Sequence, residues 1–239
     1  ASGTNACILH YIENDRQMQA DDLLLIDAGC AYGYYNADIT RTFPVGERFT
    51  PEQRILYELV LTAQLKAIEA VQPGRPFNEF HDAATRTITE GLVDLGLLQG
   101  SVDTLIEEKK HKAFFMHGTG HFLGLDVHDM EDLGDLSGYA EGRQRSDRFG
   151  LAFLRLNRPL EVGMAVTIEP GFYQVPAILN DKKNRDRYAE MVNWDRLEQF
   201  SDVRGIRIED DILITPGGNE VLSRALPTAA ADIENLLRG

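Results

Sequence analysis

Four acidic residues and one histidine stand in short apolar contexts at separate places along this chain. They are Asp27, Asp38, His121, Glu169 and Glu209. The segments around them, such as LLLIDAG and GIRIEDDILIT, have the continuous or alternating apolar pattern of strands. A lone ionised carboxylate buried in such a setting is unfavourable unless it is paired or bound to a metal. We therefore predict that these five side chains form a site for two divalent cations.

The acidic residues on the last two predicted strands have a competing interpretation. In GIRIEDDILIT, strand alternation places the isoleucines on one face and Arg207, Glu209 and Asp211 on the other. This spacing also fits an outer face that is exposed to solvent. Glu169 precedes a turn-forming Pro-Gly pair, so a partly exposed side chain is equally compatible with its position.

The histidines also leave alternatives open. His117 and His121 have the four-residue spacing of a helical zinc pair, but the two glycines between them in HGTGH disfavour a helix. The glycine spacing is one residue too long for a dinucleotide-binding fingerprint. An extended or turning segment would let His121 bind a metal while His117 faces the reacting centre. His10 and His128 are isolated, and an isolated histidine is more often a packed core or edge residue than a functional one.

The elements that position these residues are predicted to be strands, then helices, then strands again. ACILHYI, LLLIDAG and YNADITRTFPV read as strands, and a turn at CAYGYYN would set Asp27 and Asp38 roughly opposite each other. Thr50 and Pro51 are predicted to open a helix that ends before Pro73.

Further helices are predicted over residues 78–98, 101–112 and 229–237. Beyond residue 114 the pattern predicts strands again, interrupted by a polar segment over residues 131–149. A strand–helix–helix pattern followed by more strands is typical of the α+β class rather than of alternating βαβ units.

The composition is that of an ordinary globular protein: 239 residues, 43% of them hydrophobic and 26% charged. A net charge of −14 argues against nucleic acid or an anionic membrane as the main partner. No apolar run reaches the length of a membrane span, and the start shows no signal-peptide pattern. Cys7 and Cys30 are predicted to be buried free thiols rather than a disulfide, which favours a cytoplasmic location.

Taken in order, the motifs of this chain resemble those of one family. IDAG, ADITRTFPV, FMHGTGHFLGLDVHD, GMAVTIEPGFY and RGIRIEDDILIT are similar to the catalytic domain of the Xaa-Pro peptidases, the prolidase and aminopeptidase P group. The resemblance runs from Gly3 to about Thr228. It implies the pita-bread (creatinase/aminopeptidase) fold, an α+β fold in which helices back a curved antiparallel sheet. We expect residues 1–239 to form a single catalytic domain, with the family's N-terminal domain absent from this chain.

The resemblance implies a set of metal ligands. Asp27 would bind one ion through both carboxylate oxygens, while Asp38 and Glu209 would bridge the two ions. His121 and Glu169 would bind the second ion, and Glu169 would also carry the proton from water to the leaving proline nitrogen. A set of mostly oxygen ligands favours Mn²⁺, although Zn²⁺, Co²⁺ or Fe²⁺ would also fit.

The resemblance also implies roles around the metals. His10, His117 and His128 match the family's substrate-side histidines, and His117 or His128 would stabilise the developing oxyanion. Tyr173 matches an active-site position. Arg207 matches an arginine that holds a ligating carboxylate in place.

Different segments point to different members of the group. ACILHYIEN, DITRTFPVGERFTPEQR and the Met116 before HGTGH resemble aminopeptidase P, whereas GYAEGRQRSDRFGLAFLRLNRPLEVGM and VNWDRLEQF resemble prolidase. Arg155 matches the prolidase arginine that binds the free carboxylate of a dipeptide's proline, which would exclude longer peptides. A surface role for Arg155 is the competing interpretation.

We accordingly predict an Xaa-Pro dipeptidase. An aminopeptidase that acts on longer peptides is the alternative, and a non-catalytic peptide-binding module is a third possibility. The expected partners are proline-containing dipeptides or short peptides, and a second copy of the full-length form in a homodimer.

Overall fold

The computed structural model describes residues 1–145 and 155–239 of the chain. Residues 146–154, which carry the GLAFL part of the prolidase-like motif, lie outside the described residues, whereas Arg155 at its end is described. Within these described ranges, no helix is both long and apolar enough to cross a membrane. Helices and antiparallel strand pairs both build the fold, so the predicted α+β class is confirmed.

The first half of the chain contains a long hairpin that carries two of the predicted ligands. Its strands are β1 (Leu23–Ala28) paired with β4 (Ile39–Pro44), and β2 (Ala31–Tyr32) paired with β3 (Tyr35–Asn36) at the tip. Both pairs are antiparallel, and Asp27 stands opposite Thr40. Asp38 immediately precedes β4, so the hairpin brings Asp27 and Asp38 to neighbouring positions.

Helix α1 (Pro51–Ala70) begins at the predicted residue. The hydroxyl of Thr50 accepts the backbone N–H of Gln53 at 3.2 Å, and the side chain of Gln53 accepts the backbone N–H of Thr50 at 3.0 Å. This capping box satisfies backbone donors that the start of a helix leaves unpaired. Helix α2 (Phe77–Asp94) follows after a short turn and packs against α1.

The second half of the chain supplies the remaining strands. They are β5 (Ala165–Ile168), β8 (Asp210–Thr215) and β9 (Gly218–Val221) in one antiparallel sheet, and β6 (Gly171–Tyr173) with β7 (Gly205–Arg207) in another. A bridge between Thr40 and Glu209 joins this half to the hairpin. Both halves therefore meet at a predicted ligand.

The remaining helices are short, and the first and the last of them were predicted, the first over a longer range (residues 101–112) than the structure has. In chain order they are α3 (Val102–Glu107), α4 (Asp135–Gly138), α5 (Pro176–Leu179), α6 (Lys182–Tyr188), α7 (Trp194–Glu198) and α8 (Ala230–Arg238). The core lies between the α1–α2 pair and the strands of the second half. Its largest buried members include Leu56, Phe77, Phe80, Phe114, Phe172 and Phe200.

Several local predictions are wrong. The strand predicted at ACILHYI, residues 6–12, is not formed. Ala6 and Cys7 belong to a 3-10 helix over Gly3–Cys7, in which Gly3 adopts a φ of +54°, and the residues after it turn instead of extending. Residues 114–130 hold no strand, and their one isolated β-bridge joins Phe122 to Val166. The short helices between residues 176 and 198 have too little periodicity to be visible in the sequence.

The predicted burial of the cysteines is only partly observed. Both thiols are free, and Cys7 is half-buried, with its Sγ 3.4 Å from the carbonyl oxygen of Gln174. Cys30 is exposed, contrary to the prediction, because it follows β1 where the hairpin projects into solvent.

Candidate metal centre and substrate pocket

The five predicted ligands converge at one place, where the hairpin meets the strands of the second half. Ligand atoms of Asp38, His121 and Glu209 all lie within 4.8 Å of one another. The His121 Nε2 is 3.5 Å from a carboxylate oxygen of Asp38 and 3.6 Å from one of Glu169. Together with Asp27, all of them line one cavity of about 320 Å³. Residues far apart in the sequence thus line one cavity that is large enough for metal ions and a small ligand.

Glu209 is held by the hairpin through both its backbone and its side chain. Its backbone N–H donates to the carbonyl of Thr40 at 3.1 Å, and the hydroxyl of Thr40 donates to its carboxylate at 2.6 Å. Glu209 is 2% exposed and Arg207 is 3% exposed. The competing interpretation of this face as a solvated outer surface is therefore wrong.

Thr167 on β5 positions two of the predicted ligands at once. Its hydroxyl oxygen accepts the backbone N–H of His121 at 3.1 Å, and the same hydroxyl lies 3.4 Å from the carboxylate of Glu169. The chain can approach β5 this closely because residue 120 is glycine: a Cβ on Gly120 would lie 1.9 Å from the carbonyl oxygen of Thr167. The glycines of HGTGH thus serve close backbone packing rather than a helix.

Arg207 reaches across the site from β7. Its Nη2 donates to Asp27 at 2.5 Å, its Nε donates to the hydroxyl of Thr40 at 3.2 Å, and its Nη1 donates to the hydroxyl of Tyr173 at 3.3 Å. The guanidinium therefore contacts a predicted ligand and a residue that itself holds Glu209. Being buried among carboxylates, it keeps a pKa above its ordinary value.

The charges of the cluster do not balance within the protein. Burial raises the pKa of Asp27 to about 6, and Arg207 only partly offsets this effect. Burial, together with the neighbouring carboxylates, raises the pKa of Glu209 well above its ordinary value. Burial also acts on Asp38, but hydrogen bonds with His121 and Asp27, together with the nearby positive charge of Arg207, outweigh it and lower the pKa of that carboxyl. Carboxylates that are costly to ionise together, arranged with one imidazole, are a donor set that divalent cations fit.

Tyr173 and His117 form a buried pair at the wall of the cavity. The Nδ1 of His117 donates to the carbonyl of Gly118 at 2.7 Å, so in the neutral ring its Nε2 accepts from the hydroxyl of Tyr173 at 3.0 Å. Burial lowers the pKa of His117 and raises that of Tyr173 to about 12, which keeps both groups neutral. Both ring nitrogens of His117 are therefore already engaged.

The substrate-side residues lie at the open end of the same cavity. His10, His128 and Arg155 all line it, and the ring of His128 is 4.4 Å from that of His121. The Nε of Arg155 donates to Glu131 at 2.8 Å. Arg155 therefore faces the cavity rather than open solvent, which argues against a purely surface role.

Some residues that contact this site were not predicted to do so. Asp211 accepts the backbone N–H of Asp38 at 3.3 Å, and burial raises its pKa to about 7. His81 on α2 places its Nδ1 2.7 Å from the hydroxyl of Thr119, inside HGTGH. Glu131 bridges Arg155 and His128. Two of them had a sequence signal: strand alternation places Asp211 on the same face as Glu209, and Glu131 follows His128 at a spacing of three residues.

A mixed fold that gathers carboxylates and an imidazole in one substrate-sized cavity fits the class of metal-dependent hydrolases. The chain matches the model of metallopeptidase family M24 over residues 1–216, and it belongs to that family.

Named relatives agree with this assignment. The chain is 46% identical over 237 residues to a Xaa-Pro aminopeptidase of Haemophilus influenzae, covering 99% of this chain and 47% of the relative. It is 37% identical over 242 residues to the human Xaa-Pro dipeptidase, covering 100% of this chain and 48% of the relative. The structure of Pseudomonas aeruginosa aminopeptidase PepP matches with a TM-score of 0.79 and 45% identity, covering 100% of this chain and 46% of that one.

The predicted resemblance to Xaa-Pro peptidases and the predicted pita-bread fold are thereby confirmed. The chain spans about half the length of the curated relatives that it matches.

Proposed function

We propose that this chain is the catalytic domain, over residues 1–239, of a metal-dependent peptidase that hydrolyses the bond between an amino acid and a following proline. The observation that carries the proposal is the convergence of five ligand side chains and three substrate-side groups in one cavity. The chain's relatives include proteins named Xaa-Pro aminopeptidase and Xaa-Pro dipeptidase, which points to the same substrate class.

Five residues would hold the metal ions: Asp27, Asp38, His121, Glu169 and Glu209. Two divalent cations, when bound, supply a water of lowered pKa and stabilise negative charge on a carbonyl oxygen. The predominance of oxygen donors favours Mn²⁺ over Zn²⁺ or Co²⁺.

The protein's own residues supply proton transfer and orientation. Glu169 lines the cavity, and its contact with the hydroxyl of Thr167 fixes its direction, so it is placed to take a proton and deliver it to the leaving proline nitrogen. Of the two histidines expected near the oxyanion, His128 has a ring nitrogen, Nε2, with no partner among the described residues. His117 would first have to give up its contact with Tyr173. We therefore assign the oxyanion contact to His128.

Arg155 favours a dipeptide as the substrate. Its Nε is taken by Glu131, while its two terminal nitrogens have no partner within residues 1–145 and 155–239. These two nitrogens can bind one carboxylate in a bidentate manner, as the free end of an Xaa-Pro dipeptide would require. The second candidate is an Xaa-Pro aminopeptidase, because relatives 46% and 42% identical to this chain carry that name.

Hydrolysis of Ala-Pro tests the reaction itself. The chain is assayed after chelation and again after addition of Mn²⁺, with Ala-Ala as the control dipeptide. We expect activity on Ala-Pro only with metal and little on Ala-Ala. A chain that is silent in both states and yet binds Ala-Pro would instead be a peptide-binding module.

A comparison of Ala-Pro with Ala-Pro-Ala tests the choice between the two enzymes. Arg155→Ala should raise KM for the dipeptide by about 10- to 100-fold, the equivalent of losing about 1.5–3 kcal/mol from a charge-assisted contact. KM for the tripeptide should change much less. Equal cleavage of both peptides by the unaltered chain would favour the aminopeptidase.

We also propose a cytoplasmic location and a homodimeric full-length form. The location is supported by two free thiols, Cys7 and Cys30, with no disulfide among the described residues. Sedimentation of the full-length protein would test the assembly.

A further inference from the structure

A single carboxylate links the two polar groups at the open end of the cavity. One oxygen of Glu131 accepts from the Nε of Arg155 at 2.8 Å, and its other oxygen lies 3.1 Å from the Nδ1 of His128. His128 in turn packs against the predicted ligand His121. A continuous line of contacts therefore runs from the metal centre to the arginine proposed to bind the substrate carboxylate.

The backbone is bent to bring Glu131 into this position. Met130 adopts a φ of +59°, a left-handed conformation that is costly for a residue other than glycine. The turn is closed by the N–H of Glu131, which donates to the carbonyl of His128 at 3.2 Å, and by the hydroxyl of Ser137, which donates to the carbonyl of Met130 at 3.0 Å. The surrounding bonds hold a strained turn whose result is to place the Glu131 side chain between His128 and Arg155.

This contact determines which edge of Arg155 is presented to a ligand. Glu131 occupies the Nε edge, so the two terminal nitrogens are the donors left to the cavity within the described part of the chain. An unrestrained arginine would lose rotamer freedom on binding a carboxylate, and a residue that fixes it beforehand removes part of that cost.

We propose that Glu131 is a positioning residue that holds Arg155 and His128 in register and thereby sets the preference for a proline with a free carboxylate. The inference rests on the proposed function, and it adds a determinant of specificity outside the metal ligands. Positioning of Arg155 by Glu131 lowers KM for a substrate with a free carboxylate. Competition between Glu131 and the substrate for Arg155 would raise KM instead.

The test compares Ala-Pro with Ala-Pro-amide, which lacks only the free carboxylate, on the full chain loaded with Mn²⁺. Glu131→Gln should raise KM for Ala-Pro by about 3- to 10-fold, because Arg155 is no longer preorganised, and should change KM for the amide by less than about 2-fold. The matched control is Asp132→Asn, which removes the same charge one residue away at an exposed position. A lower KM for Ala-Pro, or an equal rise for both substrates, would overturn the proposal.

A double-mutant cycle shows whether the effect passes through Arg155. In an Arg155→Ala background, Glu131→Gln should leave the ratio of the two KM values unchanged, since the group that it positions is absent. If Glu131→Gln changed the ratio of the two KM values as much in the Arg155→Ala background as in the unaltered chain, the positioning role would be contradicted. Thermal unfolding of each variant checks that the fold is retained.

Binding separates this inference from the proposed function. If the chain hydrolyses neither substrate, the proposed function fails, but calorimetry with L-proline and L-prolinamide still tests Glu131. The unaltered chain should bind proline more tightly than prolinamide, and Glu131→Gln should narrow the difference. Equal affinities in the unaltered chain, or an unchanged difference in the variant, would overturn the inference.

Discussion

The metal centre and the open end of the substrate cavity are built in different ways. Glu209 is 2% exposed and is bound through its backbone and side chain to a neighbouring strand. The side chains of Arg155 and Glu131 are 23% and 36% exposed, and neither residue lies in a strand: Glu131 begins a short 3-10 helix, and Arg155 is in a loop. Glu209 is therefore fixed by the fold, whereas the Arg155–Glu131 pair assigned to substrate choice depends on a few local contacts that can change without disturbing the fold.

A buried polar network stands behind the metal centre and has no counterpart among the described residues at the open end. Arg41 donates to the carbonyl of Glu209 at 2.7 Å and pairs with Asp210 at 2.7 Å. Asp210 also accepts from Gln64 on α1 and from Ser223, both at 2.5 Å. The segment that carries Glu209, between β7 and β8, is thus tied to the hairpin and to a helix at once.

The largest expected effect comes from removing a ligand's charge at nearly constant size. Glu209→Gln should reduce hydrolysis of Ala-Pro by more than about 100-fold, because losing a ligand should exceed the effect of losing one of its outer partners. Glu190→Gln, an exposed position, is the matched control. If the two variants kept similar kcat/KM, the ligand assignment would be wrong.

The buried network predicts the next effect, on stability. Arg41→Met should lower the free energy of unfolding by about 3–5 kcal/mol, since it leaves the buried carboxylate of Asp210 without its charged partner. Arg86→Met, which breaks an exposed pair with Asp103, should leave the urea midpoint unchanged. If both variants lost a similar amount of unfolding free energy, the buried ion pair would contribute no more to stability than the exposed pair.

Asp211 should matter for metal affinity rather than for substrate choice. Its carboxylate fixes the backbone of Asp38, so Asp211→Ala should weaken Mn²⁺ binding by about 10- to 100-fold. Asp211→Asn keeps an acceptor for the backbone N–H of Asp38, so it should weaken Mn²⁺ binding less than Asp211→Ala does. Calorimetric affinities measure both variants, and an Ala variant with unchanged affinity would show that Asp38 needs no such support.

A pH effect is expected from the helix that supports HGTGH. Burial, assisted by nearby positive charge such as that of Lys112, lowers the pKa of His81 from 6.5 to about 3. Because the folded state favours the neutral ring, its contribution to stability is fully present above about pH 6.5 and is lost as the pH falls toward 3. Between pH 7.5 and 5 the loss is roughly 2 kcal/mol.

The measurement compares unfolding free energies at pH 7.5 and 5 in the unaltered chain and in His81→Gln. The acidic ligands titrate in both proteins, so the difference in their pH dependence reports on His81. Equal pH dependence in the two proteins would mean that His81 becomes protonated without cost.

Local sequence patterns predicted some residues of the site, whereas contacts between residues far apart in the sequence were not predicted. Asp38 and Glu209 are buried, so the cost of burying a carboxylate made them identifiable from the few residues around each one. The burial predicted for Asp27 is not observed to the same degree, because its side chain is 36% exposed where it lines the cavity. The contacts of Arg41 and Asp211 span more than 160 residues, and no local pattern encodes them. The turn at residues 128–131 depends on a left-handed residue other than glycine, which propensity does not predict.

Two short predicted strands are not formed, for a related reason. The alternation in ACILHYI covers too few residues to outweigh the turn that begins at Gly3. Residues within 114–130 run alongside β5 and bond to its backbone, but they do not form a regular strand ladder with it. The start of the long capped helix α1 was located to the residue, because Thr50 and Pro51 act within a single turn.

Titration of Mn²⁺ into the chelator-treated full chain, followed by calorimetry, tests the central claim most directly. If the five side chains form a dinuclear centre, two ions should bind per chain, and Glu209→Gln should abolish at least one of them. Failure to bind Mn²⁺, or the same binding of two ions in Glu209→Gln, would contradict the account.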